Sequence, residues 1–412
     1  MSALQFFSFL FLLIGLQTTQ AHVVGNSGLK PVLADLKTLK ANNIPVLSAD
    51  EYTGVGFTYL TPEAEETIHR NSHFLGRCGA FESLENQTDF SIQNIENLFS
   101  TLRTQKQKEE LYLKGPLRLV TRNFDQKIQD AINQADIKEI ENWVNWFSAF
   151  PTRFNKGKDA NTHVMALKEK LDTLVKNSAL PITVSLIDHK STPQKSIRVS
   201  IRGKTRPDEI IVLGGHFDSI NQWGGGSASA PGADDNASGS SNVLEALRVI
   251  MTKPQAERTL EFFLYAGEES GLLGSAEIAQ SYKKENKNVI AVLQLDMTLF
   301  PGEGGFVIGN VEDFTSAWLR DYFVSVNDLY LKVRLVPDEC GYGCSDHASW
   351  YRQGYSTLLP FKATTNTMNK KIHTASDVVN NQSNFRHSLV FAKLAIIFAL
   401  DLANSDLRPP TR

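Results

Sequence analysis

Few cysteines, little net charge and no long apolar run beyond the first residues mark this chain, and each shortage excludes a class of protein. Three cysteines among 412 residues do not make a disulfide-stapled scaffold, and no second close pair exists to complete a zinc ribbon. The formal net charge is only −3, which argues against nucleic acid or an anionic membrane surface as the main partner. No later segment is long and apolar enough to read as a membrane span, so a soluble mature chain is expected. Neither repeats nor low-complexity tracts occur.

What is present begins with a short apolar run at residues 6–16, followed by small residues that end at Ala21. The run is too short to cross a bilayer comfortably, so residues 1–21 read as a signal peptide and the protein as secreted. A buried hydrophobic terminus is the alternative. In an exported protein, Cys340 and Cys344 of "DECGYGCSDH" read as a small disulfide loop, with free buried thiols as the alternative. Cys78 stands alone in "GRCGAF".

Residues 22–105 mix short apolar runs with polar stretches and show no catalytic pattern. They lead into "LRTQKQKEELYLKG", a charged segment of the kind favoured for nicking. A pro-region ending approximately at residue 105 is expected, with a permanent accessory domain as the alternative. Residues 106–412 form the expected catalytic domain. There, strand-like runs ("KSIRVSIRG", "EIIVLGGHFD", "TLEFFLYAG", "NVIAVLQLDM") alternate with helical spacing ("IQDAINQADIKEIENWVNWFSAF", "SGSSNVLEALRVIMTK", "LLGSAEIAQSYKKE", "SLVFAKLAIIFALDLA"). Nearly continuous apolar strands are those covered on both faces. The pattern predicts an α/β fold, with a mostly parallel central sheet sandwiched by helices.

The polar residues fall at strand ends. His216 and Asp218 follow one apolar strand, Glu268 and Glu269 follow the next, and Asp296 follows the third; Asp235 lies in the small-residue loop "PGADDNASG". Ligand crevices form at the carboxyl ends of such strands. Singly, each residue has an ordinary reading: a core histidine, a helix start, a cap. Gathered together, the carboxylates and histidine could not all stay ionised without a cation. Imidazole with carboxylate favours zinc over magnesium or calcium.

The motifs "GGHFDS", "PGADDNASG", "EES", "QLDM", "CGYGCSDHASW" and "IHTASD" resemble, in order and approximate spacing, the two-zinc exopeptidases of the bacterial secreted leucyl aminopeptidase type. The resemblance spans roughly residue 111 to the C-terminus. It implies two zinc ions per chain: His216 and Asp296 on one, Glu269 and His373 on the other, and Asp235 bridging. It also implies Glu268 as general base, Asp218 as the acid that orients the His216 ring, and Tyr342 as a phenol holding the substrate carbonyl oxygen. Met297, Leu359, Phe361 and Ile372 would line the side-chain pocket. Thr365 and Met368 replace aromatic residues of the best-known relative, which implies a wider or less selective pocket, and nearby Lys362 leaves the preference open. His347 is left structural. The implied activity is hydrolysis of the first peptide bond of peptides or proteins with a free, apolar N-terminal residue, by a zinc-bridged water. The pro-region would act as inhibitor or folding aid, and the mature enzyme as a monomer. A catalytically inactive binding protein and a single-zinc glutaminyl cyclase are the alternatives on the same scaffold. All five implied ligands and the base are present, which favours an enzyme.

Overall fold

The computed structural model describes residues 28–74, 81–85, 87, 89–115, 120–224, 226, 228–302 and 306–410. The expected signal peptide, residues 1–21, and Cys78 lie outside the described residues. The chain builds first a small antiparallel sheet and then a large α/β sandwich.

The N-terminal sheet has the order β2-β3-β1-β4, from β1 (Lys30–Asp35), β2 (Ser48–Asp50), β3 (Val55–Leu60) and β4 (Phe81–Ser83). Alternation along β1 feeds two small cores. Val32 and Ala34 join Leu39 of α1 (Leu36–Ala41) and Ile68 of α2 (Pro62–Phe74), while Leu33 joins Phe99 and Leu102 of α3 (Ile92–Lys114). The expected boundary at residue 105 falls inside α3, where Gln105 is buried and donates to Tyr355 O at 3.5 Å. The charged segment is thus helical, and a cut there requires the helix to open.

Next come α4 (Gln126–Ile132), α5 (Ile137–Ser148) and α6 (Thr162–Val175). The single helical stretch read over α4 and α5 is two helices, because Asp136 caps the second by accepting the Lys138 N–H at 2.8 Å. The central sheet then forms from β5 (Ile182–Ile187), β6 (Ser196–Ile201), β7 (Arg206–His216), β8 (Arg258–Tyr265), β9 (Asn288–Gln294) and a short β12 (Thr357–Leu358) in the order β12-β9-β7-β8-β6-β5. Strands β12, β9, β7 and β8 run parallel, and β6 and β5 complete one edge antiparallel. The fold is α/β, with a mixed, mostly parallel sheet between helices.

Both faces are covered, which explains the continuous apolar runs. Ile211 and Leu213 of β7 pack toward α7 (Gly239–Ile250) and α11 (Phe385–Ala403). Ile210 and Val212 pack on the other side with α8 (Leu273–Lys284) and Trp350 of α10 (His347–Arg352). A three-stranded sheet of β11 (Arg334–Asp338), β10 (Val307–Val311) and β13 (Pro360–Phe361), with α9 (Ala317–Val326), completes the molecule. Among the described residues no helix is long and apolar enough to cross a membrane.

Candidate active site

Parallel pairing brings the carboxyl ends of β7, β8 and β9 level: His216 sits opposite Tyr265, and Gly214 opposite Gln294. His216, Glu268, Glu269 and Asp296 therefore meet at one edge, as the sequence positions implied. The loop before α7 brings Asp235 to the same place. Its entry turns at Gly232, where φ is +53°, and a Cβ would lie 2.4 Å from the Asp235 carbonyl oxygen. The Asp235–Asn236 peptide is cis.

Two clusters of buried potential ligands result. His216, Asp235 and Asp296 form one; Asp235, Glu269 and His373 form the other; in each, ligand atoms lie within 4.8 Å of one another. His216 Nε2 is 3.2 Å from Asp235 Oδ1 and 3.4 Å from Asp296 Oδ1. His373 Nε2 is 2.7 Å from Asp235 Oδ2 and 2.8 Å from Glu269 Oε2. Asp235 thus faces both groups with different oxygens. Glu268 stands just outside the clusters, its Oε2 3.9 Å from His216 Nε2.

Donor chemistry fits zinc. His216 Nε2, Asp296 Oδ1 and Glu269 Oε1 are buried without a hydrogen-bond partner, an arrangement that is costly unless an ion completes it. Nitrogen and carboxylate oxygen together suit zinc rather than an all-oxygen cation.

Among the protein groups alone, protons perform the neutralisation. Burial, opposed by His373 and aided by Asp235, pushes Glu269 up to about 8. Glu268 also rises well above the usual carboxylate value, through burial first, with His216 opposing and Glu269 adding. Burial alone would lower His373, yet Glu269 and Asp235 outweigh it and raise it to about 10. His216 is raised in the same way, Asp296 and Glu268 overcoming burial. Only Asp235 moves down, because His373 and His216 outweigh its burial. Glu269 and His373 bind more protons folded than unfolded between 4.5 and about 10, so in metal-stripped protein their contribution falls as pH rises. Asp235 acts only below 3.8, outside that window. Chelator-treated protein is expected to melt lower at about pH 9 than at about pH 6, with a smaller change when zinc is added back. Equal melting of the stripped protein at both would contradict this sharing of protons.

Of the supporting groups, Asp218 was expected and the others were less visible in sequence. Asp218 Oδ1 lies 3.4 Å from His216 Nδ1, and its carboxylate accepts the Glu268 and Glu269 N–H groups at 3.1 and 3.3 Å. It joins the imidazole to the glutamate turn. Ser345 donates to Asp296 Oδ2 at 2.6 Å, and Gln222 Nε2 lies 3.2 Å from His373 Nδ1. Asp377 accepts the N–H groups of Asp234 and Asp235 at 3.2 and 3.0 Å. The buried Arg153 guanidinium donates to the carbonyls of Phe147, Phe217, Pro231 and Gly232, which fixes the loop. Ser345 and Asp377 fall inside quoted motifs; Gln222 and Arg153 carry no sequence signal. His347 is remote in function: its Nε2 lies 3.0 Å from Asp313 O, and burial drops it to about 4.

Lys362, which left the preference open, is fully buried and ion-paired with Asp234. Asp234 also accepts Asn369 Nδ2 at 3.1 Å and the Leu299 N–H at 3.1 Å. The first aspartate of "ADDN" thus ties the loop down. Lys362→Met would strand this carboxylate, and unfolding in denaturant is expected to show about 3–5 kcal/mol lost. An unchanged midpoint would remove the pair from the account of the loop.

Met297, Leu359, Phe361 and Ile372 cluster with Tyr342, Cys340 and Met368. Cys340 and Cys344 form a disulfide. The adjoining cavity has about 20 Å³ of free volume and is lined also by Thr365 and Met368. It is narrow, because Met368 is itself buried in the apolar cluster.

Comparison with known proteins follows the same residues. The sequence pattern of peptidase family M28 matches residues 196–395. Leucine aminopeptidase 1 of Pyrenophora tritici-repentis is 35% identical over 297 residues, 69% of this chain and 75% of that protein. A probable leucine aminopeptidase of Arthroderma otae is 37% identical over 268 residues, 63% of this chain and 72% of that protein. In fold, the chain is similar to LapB of Legionella pneumophila, with a TM-score of 0.78 at 23% identity, covering 92% of this chain and 100% of that one. Legionella pneumophila LapA aminopeptidase gives a TM-score of 0.76 at 24% identity, over 92% of this chain and 99% of that one. The likeness therefore reaches fungal sequences as well as the bacterial type. On these matches the chain belongs to peptidase family M28, as a hydrolase whose relatives in that family are aminopeptidases.

Proposed function

We propose that the protein is a zinc-dependent aminopeptidase that removes apolar N-terminal residues from peptides or proteins with a free amino terminus. The observation that carries this reading is the pair of buried ligand clusters sharing Asp235. In it, His216 and Asp296 would hold one zinc and Glu269 and His373 the second, with Asp235 available to both. Bound zinc supplies Lewis acidity toward a carbonyl and lowers the pKa of water to about 7.

The chain's own groups do the rest. Glu268 takes the proton of the attacking water and passes it to the leaving amine, a task suited to its burial and raised proton affinity. Tyr342, on the disulfide loop, donates to the carbonyl oxygen as negative charge develops there. Asp218 keeps the His216 ring oriented while its other contacts hold the Glu268 backbone. Met297, Leu359, Phe361 and Ile372 receive the side chain, with Met368 swinging aside to enlarge the narrow cavity.

Export through residues 1–21 and action as a monomer belong to the same proposal. For residues 22–105, the backbone bond of β4 to Gly271 beside the glutamate turn favours a retained accessory domain over a pro-region that is removed.

A panel of aminoacyl-anilides tests the reading with the zinc-loaded full chain. Leucyl and other aliphatic anilides are expected to turn over fastest. A preference for acidic or basic residues would contradict the apolar pocket. Release of pyroglutamate from a glutaminyl peptide, without free amino acid, would point instead to a cyclase.

A further inference from the structure

The N-terminal sheet touches both loops assigned to the chemistry, through one short strand. Strand β4 lies at the end of its sheet, paired with β1. On the catalytic side, the Ser83 N–H donates to Gly271 O at 2.9 Å, and the Gly271 N–H donates to Glu268 O at 2.9 Å. A Cβ on Gly271 would sit 3.0 Å from the Phe81 ring and 3.1 Å from Ser83 N, so the strand presses directly on the turn that carries Glu268.

The middle residue of the strand reaches the second loop. Glu82 is buried, and its carboxylate pairs with the buried guanidinium of Arg352 at the end of α10. That guanidinium lies over the Phe314 ring at 4.7 Å. Its Nη2 also abuts Gly343, where a Cβ would approach to 2.7 Å. Gly343 follows Tyr342 inside the Cys340–Cys344 loop. On the other side of Tyr342, the Gly341 N–H donates to Asp313 Oδ2 at 3.1 Å. Between the sheet and this loop lies a cavity of about 80 Å³, lined by Val55 and Phe81 on one side and by Phe314, Tyr342 and Arg352 on the other. The loop therefore has room to shift on that side, and Arg352 is one of the groups that block it.

We propose that Glu82 is a positioning residue for the reaction: through Arg352 it holds the disulfide loop so that Tyr342 meets the substrate carbonyl oxygen. The inference rests on the role given to Tyr342 above. A buried arginine is stable only when paired. Without the Glu82 carboxylate, the guanidinium turns toward the cavity or toward water and leaves Gly343. The phenol then loses its register, and small misplacements of a catalytic contact are costly in rate. The N-terminal region is, on this view, a working part of the active site rather than a cover over it.

A double-mutant cycle on the zinc-loaded full chain tests this, with kcat, KM and zinc content measured for Glu82→Gln, Tyr342→Phe and the pair. Tyr342→Phe is expected to lower kcat about 100-fold, at the lower end for one lost oxyanion donor. Glu82→Gln is expected to lower kcat roughly tenfold, with little change in KM and wild-type zinc content. The pair should be no slower than Tyr342→Phe alone. Multiplying effects, or wild-type kcat in Glu82→Gln beside a slow Tyr342→Phe, would overturn the brace alone. Wild-type kcat in Tyr342→Phe would remove the role of Tyr342 and the brace with it. If Glu82→Gln does not fold, Glu82→Asp enters the same cycle; it should show a smaller loss that again vanishes in the Tyr342→Phe background, and a multiplying loss would overturn the proposal.

Discussion

Glu268→Gln is expected to keep its full complement of zinc and to lose about 10²–10⁴-fold in kcat, the range a positioned proton-transfer group contributes. The two ligand clusters do not include Glu268. Its carboxylate is nevertheless buried beside them, 3.9 Å from the His216 imidazole. Glutamine preserves the shape, and the bond from its backbone N–H to Asp218 is independent of the side chain. Only the capacity to accept and return a proton is removed. Kinetics and elemental analysis on one preparation check the result. Normal turnover by the zinc-replete variant would take the base role from Glu268, and loss of zinc would make it a ligand.

Asp235→Ala is expected to abolish measurable activity and to lower zinc content more than any other single ligand change. One carboxylate faces both clusters, Oδ1 at 3.2 Å from His216 and Oδ2 at 2.7 Å from His373. Its removal withdraws an oxygen from each site and leaves two histidines without their closest anion. His373→Ala, by contrast, disturbs one cluster and is expected to release one ion. Folding can be judged separately, because the loop backbone at residue 235 is held by Asp377. Zinc content in Asp235→Ala equal to wild type would end the bridging role.

The core of the fold was legible because β7, β8 and β9 are near-continuous apolar runs, each closed by polar residues. Parallel register then put His216, Glu269 and Asp296 together without further information. Asp235 was marked by its small-residue loop, whereas His373 was visible only through family resemblance, since it ends no recognisable strand. The N-terminal sheet escaped notice because β2 and β4 have 3 residues each, too short for alternation to show. Partnerships across long sequence separations also left no trace. Lys362 meets Asp234 from 128 residues away, and Arg153 meets Phe217 O from 64. A lysine near a pocket and a lysine under it look the same in sequence. How far Met368 fills the pocket left no trace for a related reason: a thioether that fills space by bending cannot be distinguished, residue by residue, from one that leaves it open.

Zinc stoichiometry of the wild-type full chain tests the central claim most directly. Metal-stripped protein titrated with zinc and freed of excess should hold two ions per chain by elemental analysis, with activity rising as they load. Saturation at one ion per chain or fewer would contradict a site in which Asp235 joins two metals.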